Sequence, residues 1–272
     1  MKKRSYFKIV AAMALMLTAC TGQQTEPINE VSDLDGKIVG AVTSAAPPEA
    51  YAALLNVHIG GEVKDVLFYN RSSDLIAATL AGRVDGALAM EAVADYYVNR
   101  NSNLKKLASQ QPFLVDVMMF LRAEDTALRN ELDRAITTLD ENGTLDQLKD
   151  TWVTNLPATK EPSSAAMPEI EGARTIYVGV TGDYIPLDYI AADGRPAGFN
   201  VALLSEISEL LQINFELVSI ESQAKFSALQ SSRIDVIFSQ TYNQQIASLF
   251  SDRVVMTRSY FTDDGACFLV KK

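Results

Sequence analysis

The sequence predicts an α/β protein built as two similar lobes, and three observations carry that prediction. "GKIVGAVTS" (36–44) and "RTIYVGVTGDY" (174–184) share one pattern, a buried strand ending in small polar residues. "LIAATLAGRVDGALA" (75–89) and "KFSALQSSRIDVIFS" (225–239) share another, a short helix, a basic turn residue, and an Asp opening an apolar strand. Asp85 and Asp235 thus hold equivalent places, and two echoes in one order indicate two similarly built units. The chain has 272 residues at 48% hydrophobic composition, enough for one large or two modest domains.

Taken in order, "MKKRSYFK" is basic, "IVAAMALMLTA" is apolar, and "LTAC" ends at Cys20. A basic start, a short apolar run and a small-residue site predict a secretory signal over 1–19, since a membrane span needs ~20 apolar residues. "Leu-Thr-Ala-Cys" resembles the bacterial lipobox, which implies acylation of Cys20 as the first mature residue. Two acyl chains suffice for stable anchoring, and residues 20–32 are then a polar tether. Removal of 1–19 takes away four basic and no acidic residues from a chain already at −10. That acidity argues against a nucleic-acid partner. Cys267 has no internal partner once Cys20 is lipidated, so a core must supply the stability. One histidine, His58, and no Cys/His cluster leave no transition-metal signature. His58 reads as a surface or boundary residue.

The α/β lobe over 33–112 continues with a helix at "PPEAYAALLNVH". Phe113 to Leu121 is a long apolar strand. Leu128, Leu132, Ile136 and Leu139 recur at helical spacing, Asn142-Gly143 stops that helix, and Leu145, Leu148 and Trp152 mark another. These elements (113–153) are expected to pack on the lobe that follows. Residues 154–172, rich in Pro, Ser and Ala, form a linker. The lobe over 173–272 carries the helix "GFNVALLSEISELLQI" and ends in the apolar strand 266–270.

"YVGVTGDYIPLDYIAADGRPAGFNVALLSEI" resembles the first lobe of the type II solute-binding proteins of polar amino acid ABC importers (solute-binding protein family 3). Tyr184, Pro186, Gly198 and Phe199 match that signature, with Leu187 and Asn200 close to it. "DLDGKIVGAVTS" resembles the start of that family's second lobe, and "DTALRNELDRAITTLDENGTLDQLKDTW" its C-terminal helices. The resemblance covers nearly all of 33–272 and implies a two-lobe, periplasmic-binding-protein-like α/β fold.

The order of these segments differs from the family's. The chain starts at "DLDGK" and finishes at "FLVKK", so joining end to beginning restores the family order. The resemblance therefore implies a circular permutation cut in the first hinge. The linker 154–172 bridges the family's usual termini, which commonly lie close together. The alternative is a fragment, or two half-domains that pair with another chain. Under the permuted reading strand 266–270 belongs to the first lobe's sheet and only one hinge is covalent.

By resemblance, the ligand lies between the lobes, at strand C-termini and helix N-termini. Tyr184 is the stacking wall, with Asp183 beside it. Ser239, Gln240 and Thr241 supply donors to a ligand carboxylate. The family's carboxylate-binding Arg falls on Ala247. Arg253 is the replacement candidate, with Arg258 next to it, the alternative being that both are surface charges. In the second lobe the family's donor turn falls on Ala45-Ala46-Pro47-Pro48, leaving Thr43 and Ser44. The family's ammonium partner falls on Met90, with Glu91 one residue later on the opposite strand face. The resemblance implies an extracytoplasmic, lipid-anchored, monomeric, non-enzymatic binding protein. It would deliver a small polar, amino acid-like ligand to an ABC permease, with no cofactor and no metal. A dehydratase-like enzyme, for which Asp183 or Glu91 would be the acid/base, and a non-transporting sensor are the alternatives on the same fold.

Overall fold

A computed structural model describes residues 27–43, 48–109, 114–159, 167–242, 252–263 and 265–272. The predicted signal peptide, Cys20, most of the tether, Ser44 and Ala247 lie outside the described residues. The second lobe comprises β1 (Ile38–Val42), α1 (Pro48–Ile59), β2 (Asp65–Tyr69), α2 (Ser72–Leu80), β3 (Gly86–Met90), α3 (Glu91–Arg100) and β4 (Leu104–Ala108). Next come β5 (Val115–Arg122), α4 (Thr126–Glu141), α5 (Thr144–Lys149) and a helical turn, Asp150–Thr154. The first lobe follows as β6 (Thr175–Val180), β7 (Asp183–Tyr184), β8 (Asp188–Ile190), β9 (Pro196–Ala197), α6 (Phe199–Leu211), β10 (Asn214–Ser219), α7 (Lys225–Gln230) and β11 (Val236–Tyr242). The chain closes with β12 (Val254–Met256), β13 (Phe261–Asp263) and β14 (Ala266–Lys271).

The two main sheets have matching orders, β2-β1-β3-β14-β4 and β10-β6-β11-β5-β12. In each, the first three strands are parallel and the fourth is antiparallel to its neighbours. The sequence echoes have physical counterparts. The Asp85 carboxylate accepts the Ile38 N–H at 2.9 Å, and the Asp235 carboxylate accepts the Tyr177 N–H at 3.0 Å. The backbone N–H of Asp85 and of Asp235 donates back to the same two residues, each at 2.8 Å. Each Asp therefore fixes the register of a central parallel pair. Gly40 and Gly179 also correspond: a Cβ at Gly40 would meet Leu75 at 2.4 Å, and one at Gly179 would meet Ile234 at 2.5 Å. The turn residues Val84 and Ile234, each one position before the paired Asp, pack over the two glycines.

Strand β5 leaves the second lobe and inserts into the first lobe's sheet, its alternate residues Val117, Met119 and Leu121 buried on one face. Leu132, Ile136 and Leu139 form the buried stripe of α4 against it, the helical spacing seen in the sequence. Gly143, at φ 80°, occupies the left-handed position between α4 and α5.

Strand β14 corrects the sequence expectation. It lies in the second lobe's sheet, between β3 and β4, with Phe268 opposite Leu88 and Leu107. The chain thus passes between the sheets twice, from β4 to β5 and from β13 to β14, and both passages are covalent. An apolar five-residue run fits either sheet equally well, because its partner is non-local. Phe268 and Val270 are fully buried with Val31 and Leu34 of the N-terminal turn Val31–Leu34. His58 is also corrected. It is buried, its Nδ1 3.0 Å from Ser109 Oγ, because the last turn of α1 packs inward beside Ile59.

Candidate functional site

The C-terminal ends of β6 and β10 open onto the gap between the lobes, the position where open α/β sheets bind ligands. There β7 and β8 form a tight antiparallel turn, pairing Tyr184 with Asp188. Gly198 locks this turn to α6. Its φ is 112°, and a Cβ would lie 2.4 Å from the Leu187 carbonyl oxygen. Only glycine fits there.

Asp183 reaches across to the second lobe. Its Oδ2 accepts the Ser73 N–H at 3.0 Å and the Ser73 hydroxyl at 3.1 Å, while Arg71 Nη2 donates to Oδ1 at 3.4 Å. A carboxylate from one lobe therefore caps the N-terminus of α2 in the other. Contact with this carboxylate raises the Arg71 guanidinium pKa. Tyr184 is half-buried beside it. Its phenol pKa is pushed well up, first by burial and then by the charge of Asp263.

Asp188 forms the floor. It is 1% exposed and accepts the Thr181 hydroxyl (3.2 Å), the Gly182 N–H (3.0 Å) and the Asn200 amide (3.3 Å). Burial raises its pKa, opposed most by the charge of Lys225. Lys225 itself is 6% exposed, and burial lowers its pKa. A cavity of about 210 Å³ is lined by Asp188, Thr181, Gly182, Ser219 and Leu217, with Arg71 contributed by the second lobe. A second cavity of about 250 Å³ lies on the flank, between α3 and the α5 segment, with Glu91, Arg100, Lys149, Pro186 and Asp263 on its walls. The first is the better ligand site, since it stands at the strand ends over the buried carboxylate.

Asp263, at the return passage, caps α3 by accepting the N–H of Glu91 (3.1 Å) and of Ala92 (3.0 Å). Glu91 is thus the first residue of α3, not a strand residue. Its carboxylate is held by Lys106, which also bonds Asp95 at 2.6 Å. Met90 is buried at the end of β3.

Asp183 and Tyr184 therefore stand at the lobe interface, and the Thr43 hydroxyl donates to the Tyr69 carbonyl oxygen at 3.2 Å at the end of β1. Ser239, Gln240 and Thr241 lie in β11, where Thr241 pairs with Val117 towards the passage end of β5. Arg253 stands apart. It is exposed and precedes Val254, which pairs with Arg122 at the opposite end of β5. Arg258 is bound to α4 through Thr137 (2.7 Å) and Asp140 (2.7 Å). Neither arginine reaches the cleft, because β12 leads the chain away from it. The sequence reading missed Arg71, Ser73, Asp188, Lys225 and Asp263. Lys225 had a signal: with Ala228 and Leu229 at i+3 and i+4, it sits on the apolar stripe of α7.

This architecture, two α/β lobes exchanging one strand each, is the two-lobe fold that the resemblance implies. Residues 176–272 match the sequence profile of the bacterial extracellular solute-binding proteins, family 3. A probable amino-acid ABC transporter-binding protein of Haemophilus influenzae is 31% identical over 72 residues, 26% of this chain and 28% of that protein. The arginine-binding extracellular protein ArtP of Bacillus subtilis is 27% identical over 128 residues, 47% of this chain and 49% of that protein. The chain thus spans about a quarter to about half of the length of these relatives. Among solved structures, an ancestral arginine-binding protein bound to arginine is 12% identical, covering 88% of this chain and 86% of that one at a TM-score of 0.41. No helix among the described residues is long and apolar enough to cross a membrane.

Proposed function

We propose that the protein is an extracytoplasmic solute-binding protein, anchored through lipid on Cys20, that delivers a small amino acid-like solute to an ABC importer. The observation that carries this reading is the family 3 match over 176–272. That stretch includes Asp183, Tyr184 and the strand ends around the cavity over Asp188. The relatives' names, a probable amino-acid ABC transporter-binding protein and an arginine-binding protein, support an amino acid as the solute class. The proposed ligand-contacting set is Asp183, Tyr184, Asp188, Arg71 and Thr43. Ser44, Ser239, Gln240 and Thr241 are further ligand candidates by the family resemblance.

The reading includes a permuted chain order. Its support is the packing of β14 and the N-terminal turn in one apolar cluster. Lys105, opposite Val270, also donates to the Asn29 side chain at 2.9 Å. The permutation point then lies after the crossover strand rather than in the hinge.

A thermal-shift screen over amino acids, short peptides and small carboxylates tests the function. A true solute at 100 times its Kd adds ~2.7 kcal/mol of stability. A screen in which no amino acid or derivative shifts the melting temperature removes the amino acid assignment.

A further inference from the structure

The walls of the cavity over Asp188 are mainly aliphatic. Val180 ends β6, Leu217 lies in β10, Ile190 ends β8, Pro196 opens β9 and Val201 stands in the first turn of α6. Strand pairing brings them together: Ser219 of β10 lies beside Val180, and Ile190 lies opposite Pro196. Ile190 is 56% exposed, an apolar side chain at the mouth that the protein itself leaves uncovered. The volume of about 210 Å³ suits a small solute.

Among the described wall residues, Arg71 and Asp188 are the charged ones. Asp188 is committed to the fold. One of its oxygens accepts the Thr181 hydroxyl and the Gly182 N–H, and the other accepts the Asn200 amide. A solute guanidinium or second carboxylate among the aliphatic walls would lose its water without gaining a counter-charge. Arg71 differs. It comes from the second lobe, its side chain is largely exposed, and Nη2 gives one N–H to Asp183 at 3.4 Å. A guanidinium carries five N–H donors, so its fork can also hold a carboxylate. We propose, on the solute-binding reading above, that the solute has a compact aliphatic body and one carboxylate. The body packs against Val180, Ile190, Pro196, Val201 and Leu217, and the carboxylate meets Arg71. Such a molecule bridges the lobes, its body on the first and its charge on the second, and it covers Ile190. An aliphatic amino acid satisfies both ends, and a branched fatty acid satisfies them without an ammonium group.

Calorimetry tests this with L-leucine, 4-methylpentanoate (leucine's carbon chain without its amino group), L-arginine and L-glutamate. L-leucine should bind at least about tenfold more tightly than L-arginine or L-glutamate. Ile190→Glu and Arg71→Gln, both at exposed side chains, should melt close to wild type. Each should weaken whichever of L-leucine and 4-methylpentanoate binds by at least about tenfold. Equal or tighter binding of L-arginine or L-glutamate overturns the proposal and leaves the solute-binding reading standing. Unchanged affinity in either variant also overturns it, because the solute then sits elsewhere. Binding of 4-methylpentanoate while no amino acid binds supports the aliphatic carboxylate site and counts against the amino acid assignment. Binding of none of the four overturns the proposal, and the wider thermal-shift screen then decides the solute-binding reading by itself.

Discussion

Asp183 and Ser73 join the two lobes: one carboxylate oxygen accepts both the backbone N–H at 3.0 Å and the side-chain hydroxyl at 3.1 Å. Asp183 is 8% exposed, so this contact is sheltered from water, whereas the Arg71 side chain is 60% exposed and adds little. A single acidic residue at the start of β7 thereby couples closure of the gap to the start of α2.

Asp183→Ala should cost about 1–2 kcal/mol, the usual loss for an N-cap, and should loosen the lobes. Small-angle scattering would report a larger radius of gyration for the variant. An unchanged radius together with an unchanged urea midpoint would show that the contact does not hold the lobes together.

Asp263 carries a pH signature. Burial raises its pKa above 3.8, against the hydrogen bonds from Ala92, Gly265 and Glu91. Between 3.8 and the folded value the native state holds more protons than the unfolded chain. The contribution of the protonated form is therefore full below 3.8 and is lost as pH rises through the folded value. Wild type should lose stability relative to Asp263→Asn across that interval, with a flat difference above it. Urea midpoints measured against pH decide this, and parallel curves would contradict it.

Gly198→Ala forces a side chain into a left-handed conformation and against the Leu187 carbonyl. A loss of about 2 kcal/mol or more is expected. A variant melting like wild type would mean that the turn between β8 and α6 relaxes freely.

Cys20→Ala should abolish lipid processing and leave either unprocessed precursor or released protein. Fractionation of cells expressing the variant reads this directly, and full membrane retention of a mature-size product ends the lipoprotein assignment.

The lobes were legible in the sequence because their signals are local. Asp85 and Asp235 stand one turn beyond a helix and open a strand, and both bond the central strand beside them. The stripe of α4 and the turn at Gly143 likewise depend on near neighbours. The site was less legible. Asp183 acts on a residue 110 positions away, and no periodicity records such a pairing. Glu91 was displaced by one element boundary, since β3 stops at Met90 and a carboxylate from β13 starts α3. In the sequence Arg253 is only a cation near Ala247, and the register of β12 with β5 places it at the far end of the lobe.

Strand β14 offers the sharpest remaining test. It is the only strand of the second lobe's described sheet supplied from beyond the linker, and it sits inside that sheet with a neighbour on each side. Phe268 is fully buried among Val31, Leu34 and Leu107, so no nearby side chain is free to fill its place. Phe268→Ala should cost about 3–5 kcal/mol. The loss should fall on the second lobe rather than on the first, whose core around Phe199 and Phe238 does not touch it. Cys267 supplies the reporter. It is fully buried, its thiol lies 3.6 Å from the Ala89 carbonyl oxygen, and burial raises its pKa far above that of a free thiol. In a Cys20→Ala background it is the single cysteine, and it should react with a disulfide reagent only when β14 leaves the sheet. Phe268→Ala should therefore accelerate Cys267 modification under native conditions, while Gly198→Ala, in the other lobe, should not. Fast labelling in the unmutated strand would show that β14 is loosely held, and equal acceleration by both substitutions would show that the lobes unfold as one unit.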